Sequence, residues 1–214
     1  MDLVISLRDV TKKFRRHLVL DKINLDVRRG EIVGVLGGSG SGKSVLLKTI
    51  IGFLRPTNGN VFVKGKIGFS TQSNSLYDEL TLRQNLLYFA SLYDIKNVKE
   101  ILPKLLNFLH LSEYENVLVE ELSGGTKKRA DIACAMLDSP EILILDEPFG
   151  GLDSFLVNEL ITFLNKIQKI GTTIVLSSHL LNQVENFATR FILVQNSTIN
   201  EISKTKLKSL YSVV

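Results

Sequence analysis

The clearest chemistry in the sequence lies in a glycine-rich loop, LGGSGSGKS, at positions 36–44. The spacing fits G-x-x-x-x-G-K-[ST], in which glycines let backbone N–H groups curl round phosphates and the following helix N-terminus favours negative charge. Lys43 would pair with the β- and γ-phosphates of a nucleotide, and the Ser44 hydroxyl would ligate Mg²⁺. The predicted phosphate cradle consists of Gly37, Gly38, Ser39, Gly40, Ser41, Gly42, Lys43 and Ser44. Kinases and GTPases use the same loop, so the motif predicts nucleotide binding but does not identify the reaction.

A pair of adjacent carboxylates limits the range of reactions that this nucleotide site could catalyse. The run ILILDEP places Asp146 and Glu147 directly after an apolar strand, at the edge of an open α/β sheet where ligands bind. An aspartate there can hold Mg²⁺, and the carboxylate after it can orient an attacking water or take its proton. A small-molecule kinase needs no such base, so the pair favours hydrolysis. A solvated acidic turn before Pro148 is the structural alternative.

A second anion cradle is predicted in ELSGGTKKRA, residues 121–130. Ser123, Gly124 and Gly125 would offer N–H groups and a hydroxyl at the start of a helix, whose dipole favours an anion. The helix is predicted over 126–137. Its predicted core face consists of Ala130, Ala133, Cys134 and Leu137. By itself Ser-Gly-Gly is more often a plain loop and helix cap, so a second cradle in so small a chain needs an explanation.

Short apolar runs that alternate with helical patterns would position these residues. The predicted strands are 3–7, 18–20, 23–27, 32–36, 61–63, 67–69, 142–145, 173–176 and 191–194. Strands 61–63 and 67–69 are predicted to form a hairpin across Lys64-Gly65. Because helices separate the later apolar strands, the fold class is α/β with a mainly parallel central sheet.

Helical patterns follow the glycine loop, over 44–51, and occupy 81 to about 111. Thr81 and Gln84 have the spacing of a capping box. Leu82, Leu86, Phe89 and Tyr93 would share one face of the helix. Pro103 is expected to kink or break the second helix of this region. A helical insertion between about 74 and 122 is therefore predicted.

Composition excludes several classes of protein. The 214 residues are 44% hydrophobic and carry a net charge of +4 spread along the chain, so no nucleic-acid surface is expected. The single cysteine, Cys134, rules out an internal disulfide and suits a reducing compartment. The first residues lack a signal-peptide pattern, and no apolar run is long enough to span a membrane. We expect a soluble, cytoplasmic protein that acts on a membrane only through a partner.

These motifs together resemble the ATP-binding subunit of an ABC transporter. The resemblance identifies LGGSGSGKS as Walker A, Gln72 as the Q-loop, LSGGT as the signature, ILILDEP as Walker B, GGLD ending at Asp153 as the D-loop, and His179 as the switch histidine. All six occur in the family's order within residues 1–179, and the resemblance covers essentially the whole chain.

The resemblance implies a P-loop NTPase fold of the ABC ATPase type over residues 1–214. A RecA-like core with an N-terminal antiparallel β-subdomain would take about 1–73 and 123–214, and a helical signature subdomain about 74–122. Two such domains pair head to tail in this family, so the second cradle would serve the ATP of a neighbouring chain. Phe14 would stack on adenine, and Asp153 would lie at the shared site.

Further roles also come from the resemblance. Glu147, His179 and Gln72 would be catalytic, and Ser44, Gln72 and Asp146 would hold Mg²⁺ beside ATP. The expected partners are a second ABC ATPase chain, identical or different, and a transmembrane permease. The chain would then lie on the cytoplasmic face of the cell membrane, with no nucleic acid involved.

Some positions depart from the family pattern. Thr126 stands where glutamine is frequent and Gly150 where serine is frequent, and the stretch from Lys43 to Gln72 is about ten residues shorter than in many relatives. No regulatory domain is expected after about residue 200. Residues 75–93 resemble export-type ATPases, which favours export. A lipid-trafficking ATPase and a translation-factor or DNA-repair ATPase remain alternatives, whereas a P-loop kinase leaves LSGGT and His179 unexplained.

Overall fold

The structure, a computed structural model, describes residues 2–73 and 75–211. The described residues form nine strands, seven α-helices and two short 3₁₀ helices, Ser112–Tyr114 and Val119–Glu121. The strands are β1 Leu3–Phe14, β2 His17–Arg28, β3 Ile32–Leu36, β4 Asn58–Val63, β5 Ile67–Ser70, β6 Ile142–Leu145, β7 Thr173–Ser178, β8 Arg190–Gln195 and β9 Thr198–Ile202. The helices are α1 Lys43–Ile50, α2 Leu82–Leu92, α3 Val98–Phe108, α4 Gly124–Met136, α5 Ser154–Lys169, α6 Leu181–Val184 and α7 Lys204–Tyr211.

The strands divide between two sheets. The central sheet has the order β5-β6-β7-β3-β8-β9, and all its pairs are parallel except the β8–β9 edge. The second sheet is antiparallel, with the order β2-β1-β4. Strands β3, β6 and β7 are buried at every position, as their unbroken apolar runs require. The predicted α/β class with an N-terminal antiparallel sheet is confirmed.

The predicted hairpin across Lys64-Gly65 is wrong. Strand β4 pairs with β1, with Val63 opposite Ile5, whereas β5 pairs with β6, with Ile67 opposite Ile142. The Lys64 amide still donates to Val4 O at 2.9 Å, so the chain leaves the antiparallel sheet only after that residue. Two short apolar runs separated by a glycine are compatible with a hairpin or with a crossing between sheets, because each partner strand is distant in sequence.

The helical region predicted from residue 81 begins as expected. Thr81 Oγ1 accepts from the Gln84 amide and Gln84 Oε1 accepts from the Thr81 amide, which confirms the capping box. Leu82 and Leu86 are buried, while the predicted face opens to solvent at Tyr93. A turn then separates α2 from α3.

Pro103 does not break α3, which continues to Phe108. A proline inside a helix removes one backbone hydrogen bond. The neighbouring Leu102, Leu105 and Leu106 are buried, and this burial stabilises the helix on both sides of the proline. Of the two outcomes expected at Pro103, a kink or a break, the break does not occur.

Several other boundaries differ from the predicted ones. Strand β2 is continuous although 18–20 and 23–27 were expected to be separate, because the left-handed Lys22 (φ 48°) accommodates an irregularity within one strand. Helix α4 begins at Gly124, two residues early. Its predicted core face, including Cys134, is buried. Strand β9 follows a two-residue turn at Asn196 and Ser197, both with positive φ, and was not predicted.

The central sheet separates two hydrophobic clusters. Along β6, Ile142 and Ile144 face the antiparallel sheet and α1, while Leu143 and Leu145 face the cluster of α2 to α5. This alternation is the two-residue period of a strand buried on both faces. Because β3, β5, β6 and β7 run in the same direction, the residues after them meet at one edge. Within the described ranges, no helix is both long and apolar enough to cross a bilayer.

Candidate nucleotide site

The glycine-rich loop connects β3 to α1 at this edge. Gly37 has φ of 153°, and a Cβ there would lie 2.5 Å from Val194 O, so a side chain has no room. Gly42, which precedes α1, has φ of 107°, a conformation that residues with a Cβ rarely adopt. The loop therefore follows a path that requires glycine at both ends, as the motif predicts.

Lys43 directs its ammonium back into the loop. Its Nζ donates to Gly37 O at 2.9 Å and to Gly38 O at 3.1 Å. The same Nζ lies 3.2 Å from Glu147 Oε1, and the two side chains are only 6% and 9% exposed. A nearly buried cation thus links the loop to the carboxylate after β6.

Glu147 has an unusual backbone. Its φ is +49°, a left-handed conformation that is uncommon for a residue with a side chain. Its N–H donates to Ser177 Oγ at 2.8 Å. Its Oε2 accepts from the His179 amide at 3.2 Å and lies 2.8 Å from His179 Nδ1. The carboxylate is consequently held between Lys43 and His179.

Asp146 is fixed from two neighbouring strands. Its Oδ1 accepts a hydrogen bond from Ser177 Oγ at 2.6 Å, and its amide donates to Ser70 O at 2.9 Å. One hydroxyl, that of Ser177, therefore orients both carboxylate residues. Sequence reasoning missed Ser177, whose only signal is its place at the end of β7, two residues before His179.

A cavity of about 480 Å³ opens beside the loop. Its walls are the loop residues Gly37, Gly38, Ser39, Gly40 and Ser41 together with His179, Leu193, Val194, Gln195 and Asn196. Ser41 Oγ is buried and has no hydrogen-bond partner among the described residues. A phosphate oxygen would satisfy this hydroxyl, so the cavity fits a nucleotide. The wall formed by the end of β8 and Asn196 was not predicted, because nothing local marks residues 193–196 as part of a site.

The predicted metal ligands are only partly assembled. Asp146 is buried, whereas Gln72 lies in an exposed bend after β5. Among residues 2–73 and 75–211, no cluster of three or more His, Cys, Asp or Glu side chains forms a metal site. A single carboxylate with the Ser44 hydroxyl suits Mg²⁺ when phosphate oxygens and water complete its coordination.

The second cradle is a helix N-terminus in this chain. Ser123 Oγ accepts from the Thr126 amide at 3.2 Å, which makes Ser123 the N-cap of α4. A Cβ on Gly125 would lie 2.4 Å from Leu156 Cδ1, whereas Gly124 has open space around it. Asp153 in turn caps α5 by accepting from the Leu156 amide at 2.9 Å. The cradle and the D-loop residue therefore lie close to each other.

The remaining predicted ligand, Phe14, ends β1 opposite His17. Its ring is 43% exposed, with Lys12 Nζ 5.0 Å from the ring centroid. Within the described part of the chain, the residues that line the loop cavity do not include Phe14, Gln72, Asp153 or the three residues of the second cradle. The structure brings the loop, Glu147 and His179 together and leaves these others outside.

Two charged residues of α4, Lys128 and Asp131, are buried next to the Gln72 segment. Burial lowers the pKa of the Lys128 ammonium, against the opposing effect of the carboxylates of Asp131, Asp146 and Glu147. Sequence reasoning missed both residues. Their burial could have been predicted from the sequence, because this lysine and aspartate lie in the same helical turns as the alanines of the predicted core face.

Comparisons with known proteins agree on one family. The family described as ABC transporter matches residues 20–150. The chain is 31% identical to the Nod factor export ATP-binding protein I of Sinorhizobium fredii, over 91% of this chain and 61% of that protein. It is 30% identical to a probable sulfate/thiosulfate import ATP-binding protein of Chlorella vulgaris, over 94% of this chain and 92% of that protein.

A solved structure gives the same result. A dimeric ATP-binding cassette in a post-hydrolysis state, bound to ADP and Pi, matches with a TM-score of 0.84 and 27% identity, covering 94% of this chain and 98% of that one. Several of the relatives are longer proteins, of which this chain spans 28% to 61%.

Proposed function

This chain belongs to the ABC transporter family and is an ATP-binding cassette, and we propose that it hydrolyses ATP to drive a membrane transporter. The observation that carries the proposal is the position of Glu147, held between Lys43 and His179 beside the phosphate loop. A carboxylate at the end of a buried strand, next to a phosphate cradle, can orient an attacking water and accept its proton.

We propose that Lys43 changes partners when nucleotide binds. In the structure its ammonium is bound by two loop carbonyls and Glu147, and phosphate oxygens would compete for the same donors. Glu147 would then be free to act on water, while His179 would contact the γ-phosphate. Ser44, Asp146 and Gln72 would hold Mg²⁺, which supplies positive charge beside the phosphates, and Phe14 would stack on the adenine.

The second cradle is proposed to act on the nucleotide of another chain. Ser123, Gly124, Gly125 and Asp153 lie outside the wall of this chain's own loop cavity, and a related cassette forms a dimer bound to ADP and Pi. We therefore propose a head-to-tail pair of ATP-binding chains. Residues 1–214 would form one ABC ATPase domain, with about 74–122 as its helical subdomain.

The membrane partner is proposed to insert a short cytoplasmic helix beside the Q-loop. Tyr77 is 46% exposed and packs edge to face against Tyr88, with ring centroids 5.0 Å apart, in a cluster that also contains Phe89. Exposed aromatic clusters of this kind favour helix docking. The chain would thus work at the cytoplasmic face of the membrane. We propose export, following the Nod factor export relative.

The relatives do not favour the other candidate functions. Both relatives compared above are ATP-binding proteins of transport systems. A translation-factor, DNA-repair or lipid-trafficking ATPase therefore has no observation in its favour here.

Replacing Glu147 tests the catalytic proposal. Glu147→Gln keeps the shape of the side chain but removes its basicity, so ATP binding should persist while kcat falls about 100-fold or more. ATP should then trap a dimer that size-exclusion chromatography detects. Lys43→Ala should lose ATP binding instead, and Glu113→Gln, which changes an exposed glutamate, should change neither. A Glu147→Gln chain that hydrolyses ATP at the normal rate would refute the proposed base.

Two neighbouring residues test the docking proposal. Tyr77→Glu should weaken transport by the assembled transporter while leaving the basal ATPase activity of the chain nearly unchanged, because Tyr77 is exposed. Leu76→Glu should lower the melting temperature of the isolated chain, since Leu76 is 9% exposed and belongs to the core. If Tyr77→Glu also destabilises the isolated chain, the aromatic cluster is part of the core and not a docking surface.

A further inference from the structure

Helix α4 carries a lysine and an aspartate inside the protein. Lys128 and Asp131 are 7% and 2% exposed, and both follow the N-cap Ser123 within three turns. Buried charges are costly unless hydrogen bonds satisfy them. Lys128 Nζ and Asp131 Oδ2 are 3.8 Å apart, too far for a good hydrogen bond. Their hydrogen-bond partners lie on another part of the chain.

Those partners flank Gln72. Asp131 Oδ2 accepts from Ser70 Oγ at 2.5 Å, and Oδ1 accepts from the Ser75 amide at 2.9 Å. Lys128 Nζ donates to Thr71 O at 2.6 Å. Three hydrogen bonds from one helix thus hold the chain on both sides of Gln72, while Gln72 itself is exposed.

The same segment is anchored to the catalytic edge of the sheet. Ser70 O accepts from the Asp146 amide at 2.9 Å. The contact between α4 and β5 is close, because a Cβ on Gly68 would lie 2.2 Å from Ala135 O. Helix α4 therefore has little freedom to slide along β5 without moving the Gln72 segment.

We infer that Lys128 and Asp131 are positioning residues that set the place of Gln72 from the signature helix. Any displacement of α4 when its N-terminus binds the partner chain's nucleotide is then transmitted to Gln72 through the Asp131 and Lys128 hydrogen bonds. The inference rests on the proposed ATPase function and adds a route between the two cradles of one chain. The competing explanation is that the two charges only stabilise the contact between α4 and β5.

Removing the Asp131 carboxylate in the full chain gives the first test. Asp131→Ala should lower kcat about tenfold, since small displacements of reacting groups are costly, while ATP affinity stays within about twofold. Asp131→Asn should keep most of the activity, because its amide oxygen can still accept from Ser75 and its NH₂ can donate to Ser70 Oγ. Equal kcat values for Asp131→Ala and wild type would overturn the inference.

A matched control lies at the other end of the same contact. Asp138, just beyond α4, pairs at 2.8 Å with Lys66, the residue before β5, and both side chains are exposed. Asp138→Ala removes an ion pair between residues that flank the same two elements, at the opposite end of β5 from Gln72. It should leave kcat unchanged, and a loss as large as that of Asp131→Ala would favour a merely structural role.

Combination with Gln72→Ala separates positioning from stability. If Asp131 acts through Gln72, Asp131→Ala should cause little further loss of kcat in the Gln72→Ala chain, because non-additive effects indicate coupled residues. Losses that multiply would show that Asp131 acts by another route and would overturn the inference. Should Asp131→Ala fail to fold in a thermal melt, Lys128→Met and Lys128→Arg take its place. Lys128→Arg should keep the ATPase activity. Lys128→Met should lose activity when Gln72 is present and cause no further loss in the Gln72→Ala chain. Any other pattern would contradict the positioning role.

Hydrogen exchange distinguishes failure of this inference from failure of the proposed function. The Ser75 amide is bound to Asp131, so peptides that contain Ser75 should exchange faster in Asp131→Ala than in wild type or Asp138→Ala. A wild-type chain that hydrolyses no ATP would refute the ATPase proposal, and the exchange data would still report the link. Unchanged exchange in Asp131→Ala would refute the link even in a fully active enzyme.

Discussion

The phosphate-loop edge and the signature end of α4 differ in how complete they are within one chain. At the loop, Glu147 contacts both Lys43 and His179 directly. The cavity beside them contains a buried hydroxyl that lacks a partner among the described residues. At the signature end, Ser123 satisfies the first turn of its own helix. Gly124 has open space around it.

The two cradles are therefore suited to different partners. A site built to hold a ligand from its own chain gathers groups from several strand ends, as the loop does. A helix N-terminus with open space at its first glycine, Gly124, is suited to contribute to a site that a second surface completes.

We expect the largest loss of ATP hydrolysis in heterodimers that carry two inactivating substitutions, Lys43→Ala in the loop and Ser123→Arg in the signature. The two substitutions can lie on different chains or on the same chain. When the changes lie on different chains, both fall in the same shared site and the other site stays intact. Single-turnover hydrolysis should therefore persist at about half of the wild-type amplitude. When both changes lie on one chain opposite a wild-type chain, each site receives one defect and activity should fall about 100-fold or more.

Activity in the heterodimer with both changes on one chain, together with no activity in the heterodimer with the changes on different chains, would contradict a shared site. If the signature served the nucleotide of its own chain, the wild-type member of the second heterodimer would remain fully competent. Differently tagged chains, purified through both tags, provide the two heterodimers. Single-turnover measurement is required because cooperative sites can stall each other during steady-state turnover.

An intermediate effect is expected from Ser177, which acts only at the loop edge. Ser177→Ala removes the donor to Asp146 and the acceptor of the Glu147 amide. Groups that orient metal-binding carboxylates typically contribute about 10- to 100-fold to affinity or activity. We expect kcat to fall about tenfold and the half-saturating Mg²⁺ concentration to rise, as measured in Mg²⁺ titrations of the ATPase. Ser6→Ala removes another buried strand hydroxyl and should alter neither, and equal losses in both variants would assign the effect to general destabilisation.

The smallest effect is expected from Ser123→Ala in the isolated chain. Loss of an N-cap hydroxyl costs about 1 kcal/mol of stability, so the denaturant midpoint should fall slightly while ATP binding stays unchanged. Asp153→Ala removes the N-cap of α5 and should behave in the same way. Weaker ATP binding by isolated Ser123→Ala chains would mean that the signature contacts the nucleotide of its own chain.

Local signals in the sequence predicted a large part of this protein. The glycine loop, the carboxylate pair, the Thr81–Gln84 capping box and the order of most strands and helices depend on residues that are neighbours in the chain. The backbone path through the loop requires glycine at Gly37 and Gly42, and the capping box needs only a spacing of three residues. Such features depend only on residues close together in the sequence, so the sequence alone is sufficient to predict them.

Tertiary structure decided what joins distant segments. The crossing at Lys64-Gly65 between two sheets could not be distinguished from a hairpin, because strand partners are chosen by burial across the whole fold. Ser177 reaches Asp146 over 31 positions of sequence, and Asp131 reaches Ser70 over 61. A serine or an aspartate has the same local preferences whether it faces water or a catalytic strand. Only packing removes it from water, and burial then requires a hydrogen-bond partner.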